Sequence, residues 1–379
     1  ATTMPSRPSH VPFSERRIAP LLAAFPSLGP RLARWESATV RDEMNAVQPE
    51  SPVWICGMAR SGSTILLEML NGLPDFTSHR YSDYPWLWTP YWWNRLHARL
   101  PLPTVPAHER AHRDGIVVSR DSPEAFEEVF WMHYFADRHD PAVSQVLEAD
   151  APGAEFLRFF REHQRKLLAA RGATRYLAKA NYQLPRLGFL HHHFANARFI
   201  IPVREPLAQI ASLLKQDALF CKLDAEDPAV SAHLVRIGHF EFGPHKRALN
   251  LGDADETSAI AACFERGEMA EGYARQWVAQ YGFALRRMRE DATLASACLW
   301  LGHDRLCADP RGELERLGRH VGLAAGDLRT LVGDWAPRLH RPGYYAPSFS
   351  QCERDMIESL TGALWGELDA WTLRPPATA

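Results

Sequence analysis

The sequence lacks most of the features that announce a function at sight. Its six cysteines (Cys56, Cys221, Cys263, Cys298, Cys307, Cys352) form no CxxC pair, which argues for reduced thiols rather than a disulfide frame or zinc site. No apolar run reaches about 18 residues, so the pattern contains no transmembrane helix. The opening residues, ATTMPSRPSHVPF, have no apolar centre of the signal-peptide kind, and a cytoplasmic location is the expectation. Net charge is small, −2 with a pI near 6.8, so no global field draws the chain to nucleic acid or an anionic membrane. Any anion must be held by a local site. Lysine is scarce: Lys166, Lys179, Lys215, Lys222 and Lys246 are the only ones. There is no internal repeat, no low-complexity block and no Gly/Ser/Pro linker between two cores.

What is present is a core and a pattern. Of 379 residues, 46% are hydrophobic and 23% charged, an ordinary globular balance. SPVWICGMA, RYLAK (175–179), ARFIIPV (197–203) and ACLWLGH (297–303) read as strands. Helical patterns alternate with them: STILLEMLNGL, PRLGFLHHHF, PLAQIASLLKQ with Pro206 in its first turn, and PRGELERLGRHVGL. This alternation predicts an α/β fold with a mostly parallel sheet covered by helices on both faces. A single domain is expected over 1–379: a helical arm (1–50), a core (51–345) with a long helical insertion near 207–290, and a C-terminal tail (346–379).

Two segments look built for anions. GMARSGST, Gly57 to Thr64, is the turn between the first strand and its helix. Small residues there let backbone N–H groups converge, and the helix N-terminus adds partial positive charge. The spacing Gly57-x4-Gly62 matches the nucleotide P-loop, but Ser63 stands where that loop has its lysine, and the cation lies inside the loop at Arg60. A ligand with a single phosphate near Arg60 fits this better than a nucleoside triphosphate. The second segment, IIPVREPLAQIASLL, puts Arg204 at the end of a strand and Ser212 about two helical turns on. A guanidinium there presents a forked donor to a phosphate. By itself it reads equally as a surface ion pair with Glu205.

Together, G-x-x-R-S-G-S-T and V-R-E-P-x5-S resemble the sulfotransferases that use 3′-phosphoadenosine 5′-phosphosulfate (PAPS). The resemblance implies a 5′-phosphosulfate loop of Arg60, Ser61, Gly62, Ser63 and Thr64, with Ser63 a mild departure. It implies a 3′-phosphate site of Arg204 and Ser212. YLAKANYQL resembles the segment that carries the family's active-site lysine, here Lys179. WLGHDRLCADPRGELERLGRHVGL and DSPEAFEEVFW resemble further family segments, so the likeness spans about residues 50–325.

The implied activity is in-line sulfuryl transfer to a hydroxyl, with PAPS as donor, 3′,5′-ADP (PAP) as product and no metal. His191-His192-His193 point about 100° apart on a helix and cannot all reach one ion. Arg60 is expected at the leaving phosphate and Lys179 at the sulfuryl group. The base is open. Cytosolic aryl sulfotransferases place a His two residues after the lysine; here that residue is Asn181, which takes no proton. Tyrosine-sulfating and many bacterial members use an acidic residue after the phosphate loop. Asp83, in YSDYPWLWTPYWWNRL, falls near that place, one methylene shorter than Glu. His79 is the rival base, and neither residue need serve, since Asp83 before Pro85 also suits a turn. The aromatic stretch suggests a small, lipophilic or aromatic acceptor, with no nucleic-acid partner. The competing readings are a kinase or NTPase with an altered P-loop, and a nucleotide-binding scaffold without chemistry.

Overall fold

The computed structural model describes residues 13–100, 108–109, 112, 117–194, 196–340 and 348–374. Five parallel strands form the sheet: β1 (Val53–Cys56), β2 (Phe76–Thr77), β5 (Arg175–Ala180), β6 (Arg198–Val203) and β7 (Cys298–Gly302), in the order β2-β5-β1-β6-β7. A small antiparallel hairpin, β3 (His108–Glu109) with β4 (Val117–Val118), stands apart from it. The four strands expected from the pattern are all in the sheet. The two-residue edge strand β2 was not expected: FT is too short to carry a period.

Strand alternation splits the core in two. Trp54, Cys56, Tyr176, Phe199, Ile201 and Trp300 point to one face, and Val53, Ile55, Leu177, Ile200, Leu299 and Leu301 to the other. The second face takes Leu66, Leu67 and Leu70 of the helix Ser63–Asn71 and Leu314 and Leu317 of the helix Pro310–His320. The first takes Phe156 and Phe160 of Ala154–Arg171, Ile210 and Leu213 of Pro206–Glu226, and Trp277 and Tyr281 of Met269–Glu290. Both faces are dry, which is why these strands read as continuous apolar runs.

The N-terminal arm comprises helices Phe13–Ala23, Leu28–Thr39 and Arg41–Ala46. Its anchor is the fully buried pair Glu36–Lys166, at 2.9 Å. The stretch expected as a C-terminal tail instead contains the helix Gln351–Thr372, opened by a capping box of Ser350 and Glu353. Its Ile357 and Leu368 are wholly buried in the first-face core. No described helix is long and apolar enough to cross a membrane.

The order of strands places the site. The chain leaves β1 towards β2, returns through β5 beside β1, then crosses to β6 on the other side of β1. This reversal opens a crevice at the carboxyl end of β1, the favoured ligand position in open α/β sheets.

Candidate active site

The loop Gly57–Gly62 fills that crevice. Arg60 (φ 69°) and Gly62 (φ 100°) both lie in the left-handed region. Left-handed residues placed so close together curl the backbone in the way that turns successive N–H groups to one side. For Arg60 the conformation costs about 1 kcal/mol, so the loop must be held by its surroundings. Gln209 Nε2 donates to Ala59 O at 2.9 Å, and Trp277 Nε1 fixes Gln209 at 3.0 Å. Tyr281 OH donates to Pro202 O at 3.1 Å beneath the loop. A Cβ on Gly57 would stand 3.1 Å from both the ring and the carbonyl oxygen of Pro202, which explains a glycine there. Helices of the insertion therefore clamp the Gly57–Gly62 loop, a role that Gln209 did not reveal in the sequence.

The two anion motifs meet. Arg60 Nε donates to Ser212 Oγ at 3.0 Å across 152 residues of chain. Ser212 is buried two turns into the helix Pro206–Glu226, as the spacing predicts. Arg204 follows Val203 at the end of β6, half-buried, and has no hydrogen-bond or ion-pair partner among the described residues. The ion pair with Glu205 does not form. Glu205 instead caps the helix, accepting from Leu207 N at 3.0 Å and Ala208 N at 2.7 Å.

Lys179 lies on β5 opposite Ile55 and donates to Thr64 Oγ1 at 3.3 Å, on the first turn of the helix after the loop. Its second neighbour is Glu124 Oε1, at 3.9 Å. Glu124 also accepts from Ala125 N at 2.7 Å and from Tyr81 OH. Burial opposes its ionisation, but the positive charges of Lys179 and His239 and these hydrogen bonds hold it down at about 2. It is a fixed anion beside the Lys179 ammonium.

Asp83 and His79 do not stand open to this centre. Asp83 receives Arg171 Nη2 on both oxygens, at 2.7 and 2.6 Å, and Arg80 N at 2.8 Å. Taking up a substrate proton would break a buried bidentate pair. His79 is buried and shares a 2.8 Å Nε2–Nε2 hydrogen bond with His163. Burial pushes it down to about 4. One ring of that pair donates and the other accepts, and burial disfavours the charged form of both.

Asn181, two residues past Lys179, donates to Glu241 Oε1. Glu241 in turn holds His239 Nδ1, at 3.1 and 3.2 Å from its two oxygens. Neither residue stood out in the sequence, because both come from the helical insertion and reach the crevice only through the fold.

The tryptophans divide their work. Trp86 and Trp88, with Tyr84, Val129, Met132 and Val235, line an apolar cavity of about 320 Å³. Trp92 packs edge-on against Trp35 of the arm, and Trp93 Nε1 donates to Ser82 O at 2.6 Å. Tyr84 stacks on Phe126, two residues from Glu124. The cavity therefore backs onto the same segments as the charged centre. Among the described residues one group, Cys263, Glu268 and Glu271, gathers three metal-type donors, but both carboxylates are already paired, with Arg266 and Arg275.

Comparison with known proteins agrees with the fold. No curated protein matches the sequence. Residues 52–227 match the sulfotransferase family. Among solved structures, the fold is similar to sulfotransferase STF1 from Mycobacterium tuberculosis H37Rv at 12% identity, with a TM-score of 0.50 over 95% of this chain and 88% of that one. It is also similar to sulfotransferase STF9 from Mycobacterium avium at 12% identity, with a TM-score of 0.52 over 90% and 82%. The segment matched runs from β1 through the Gly57–Gly62 loop, Lys179 and Arg204 to the end of the Ser212 helix, and over that segment the chain is similar to the sulfotransferase family.

Proposed function

We propose that the protein transfers a sulfuryl group from PAPS to a hydroxyl of a small acceptor with an apolar body. The observation that carries this reading is the Arg60–Ser212 hydrogen bond. It joins the loop suited to a 5′-phosphosulfate to the segment suited to a 3′-phosphate, with unpaired Arg204 at the adjacent strand end. A donor with phosphates at both ends of its ribose spans such a pair; ADP or ATP does not.

In the reaction, the acceptor oxygen forms a bond to sulfur while the bond from sulfur to the 5′-phosphate oxygen breaks. Negative charge moves onto that phosphate. Arg60, the N–H groups of the loop and the N-terminus of Ser63–Asn71 stabilise it, and Lys179 balances the sulfuryl oxygens. No metal is needed for this charge balance. Asp83 serves from behind, holding Arg171 against the segment that carries His79. The cavity between Trp86, Trp88 and Val235 offers the acceptor's apolar body a dry wall.

Thermal shift with 3′,5′-ADP, ADP and ATP–Mg²⁺ tests the donor. 3′,5′-ADP should stabilise the protein most, and Arg204→Ala should weaken its binding about tenfold or more, the loss of one charged hydrogen bond. Stabilisation by ATP–Mg²⁺ without any by 3′,5′-ADP refutes the reading in favour of an NTPase. A panel of phenols, long-chain alcohols and sugars with labelled PAPS tests the acceptor, and a preference for sugars counts against the apolar cavity.

A further inference from the structure

Asn181 occupies the position at which an aryl sulfotransferase would carry its histidine, but the structure brings another imidazole to the same neighbourhood. His239 Nδ1 lies against Glu241, and Glu241 is steadied by Asn181, two residues beyond Lys179 on the same chain segment. His239 Nε2 makes no hydrogen bond among the described residues, and the side chain keeps 16% of its surface exposed. We infer that His239 is the general base of the proposed transfer and that Glu241, held by Asn181, is its positioning residue. The inference rests on the sulfuryl-transfer reading above.

The geometry is built for it. Helix Ala229–Ile237 ends in a Schellman closure: Gly238 N returns to Val235 O at 3.2 Å and His239 N to Leu234 O at 2.9 Å. Gly238 has φ 80°, and any Cβ there would run into the Glu128 side chain, so the turn admits only glycine. Phe240 N donates to Tyr182 OH at 2.8 Å, and Glu241 O accepts from Tyr273 OH at 3.1 Å. The imidazole is thus held on both sides along the chain by fixed backbone, as a preorganised base requires. The helix that presents it also supplies Val235 and Arg236 to the apolar cavity, so the acceptor's body and the base share one support.

The charged and titratable groups facing His239 are Glu241 on its own loop, Lys179 of β5, Glu124 from the segment beside it, and His233 on the preceding helix. Burial works against the charged ring, but the charge and hydrogen bond of Glu241, with Glu124 added, outweigh it and the opposing Lys179; the net direction is upward. Neutral His239 donates its Nδ1 proton to Glu241 and keeps the Nε2 lone pair. As the acceptor oxygen attacks sulfur, Nε2 takes the hydroxyl proton and the 5′-phosphate leaves with the electrons of the broken S–O bond. The proton then passes to solvent.

The test uses labelled PAPS with 2-naphthol and dodecanol as acceptors, and the slow hydrolysis of PAPS, in which water takes the acceptor's place. His239→Ala should lose about 10²–10⁴-fold in kcat while 3′,5′-ADP affinity and melting temperature stay near wild type. Activity should rise with pH as His239 deprotonates. Glu241→Gln should move that rising limb to lower pH and lower the pKa of the His239 ring read by NMR. Retained turnover in His239→Ala overturns the assignment, as does a limb abolished by Glu124→Gln while His239→Ala keeps it. Failure of wild type to bind 3′,5′-ADP would instead overturn the transfer reading itself.

Discussion

Asp83→Asn separates the two roles open to this residue. Asp83 and Arg171 expose 2% and 6% of their side chains and meet at 2.6 Å. Removing one charge from a buried pair leaves the other uncompensated, which costs about 3–5 kcal/mol. Arg171 retains acceptors in Thr77 Oγ1, Ser78 O and Asn94 Oδ1, so the lower end, about 3 kcal/mol, is expected. For a chain of 379 residues, an unfolding entropy of about 2.1 cal/mol/K per residue makes this a fall of roughly 4 °C in melting temperature. Arg171→Met added to Asp83→Asn should restore part of it, because the stranded charge is gone. The assays are thermal melting, 3′,5′-ADP binding and sulfuryl transfer with its pH profile. The expected variant is less stable, binds 3′,5′-ADP and keeps the wild-type pH limb. An unchanged melting temperature together with lost transfer and intact 3′,5′-ADP binding would show that Asp83 is the base and refute the structural role.

Gly57→Ala places a methyl group 3.1 Å from Pro202 and 3.2 Å from Ser61 Oγ. The loop must shift by tenths of an ångström at about 1–3 kcal/mol, so calorimetry should show weaker 3′,5′-ADP binding with the fold retained. Stability should also fall as pH drops from about 6.5 towards 4. His79, His233 and His320 are each pushed down to about 4, chiefly by burial. Between those limits the unfolded chain binds more protons than the folded one, so each ring's contribution is present above about 6.5 and lost as pH falls through 4. Glu127, which burial pushes up to about 7, acts oppositely, losing its contribution as pH rises from about 4.5 to 7. Glu36, also raised by burial, adds to it, but with His163 and His133 lowered as well the rings outnumber the two carboxyls, and urea midpoints measured across this range check the net sign; a midpoint that rises on acidification contradicts it.

Much of the site could be read locally. A glycine-rich turn between an apolar strand and an apolar-striped helix, an arginine at a strand end and a serine two turns later are all defined by short spacings, and the sheet carries them to one rim. The part played by Asp83 was less legible. The distance of Asp83 from Arg60 suggested a role, but its meaning depends on Arg171, 88 residues away and invisible to any local pattern. The same holds for His79, whose partner His163 lies 84 residues on.

What the sequence determined by itself was the strand–helix alternation, the glycine-bounded turn with Arg60, and the second motif with Arg204 and Ser212, because backbone periodicity and turn chemistry act over a few residues. Only tertiary structure decided which charged groups are spent on each other and which remain for chemistry. It gave Asp83 to Arg171, made Glu205 a helix cap and delivered His239 and Glu241 beside Lys179. It also split the aromatic stretch, with Trp86 and Trp88 on a cavity and Trp92 and Trp93 on packing. The physical reason is that pairing energy and burial depend on which segments meet in space, and a one-dimensional pattern carries no record of those meetings.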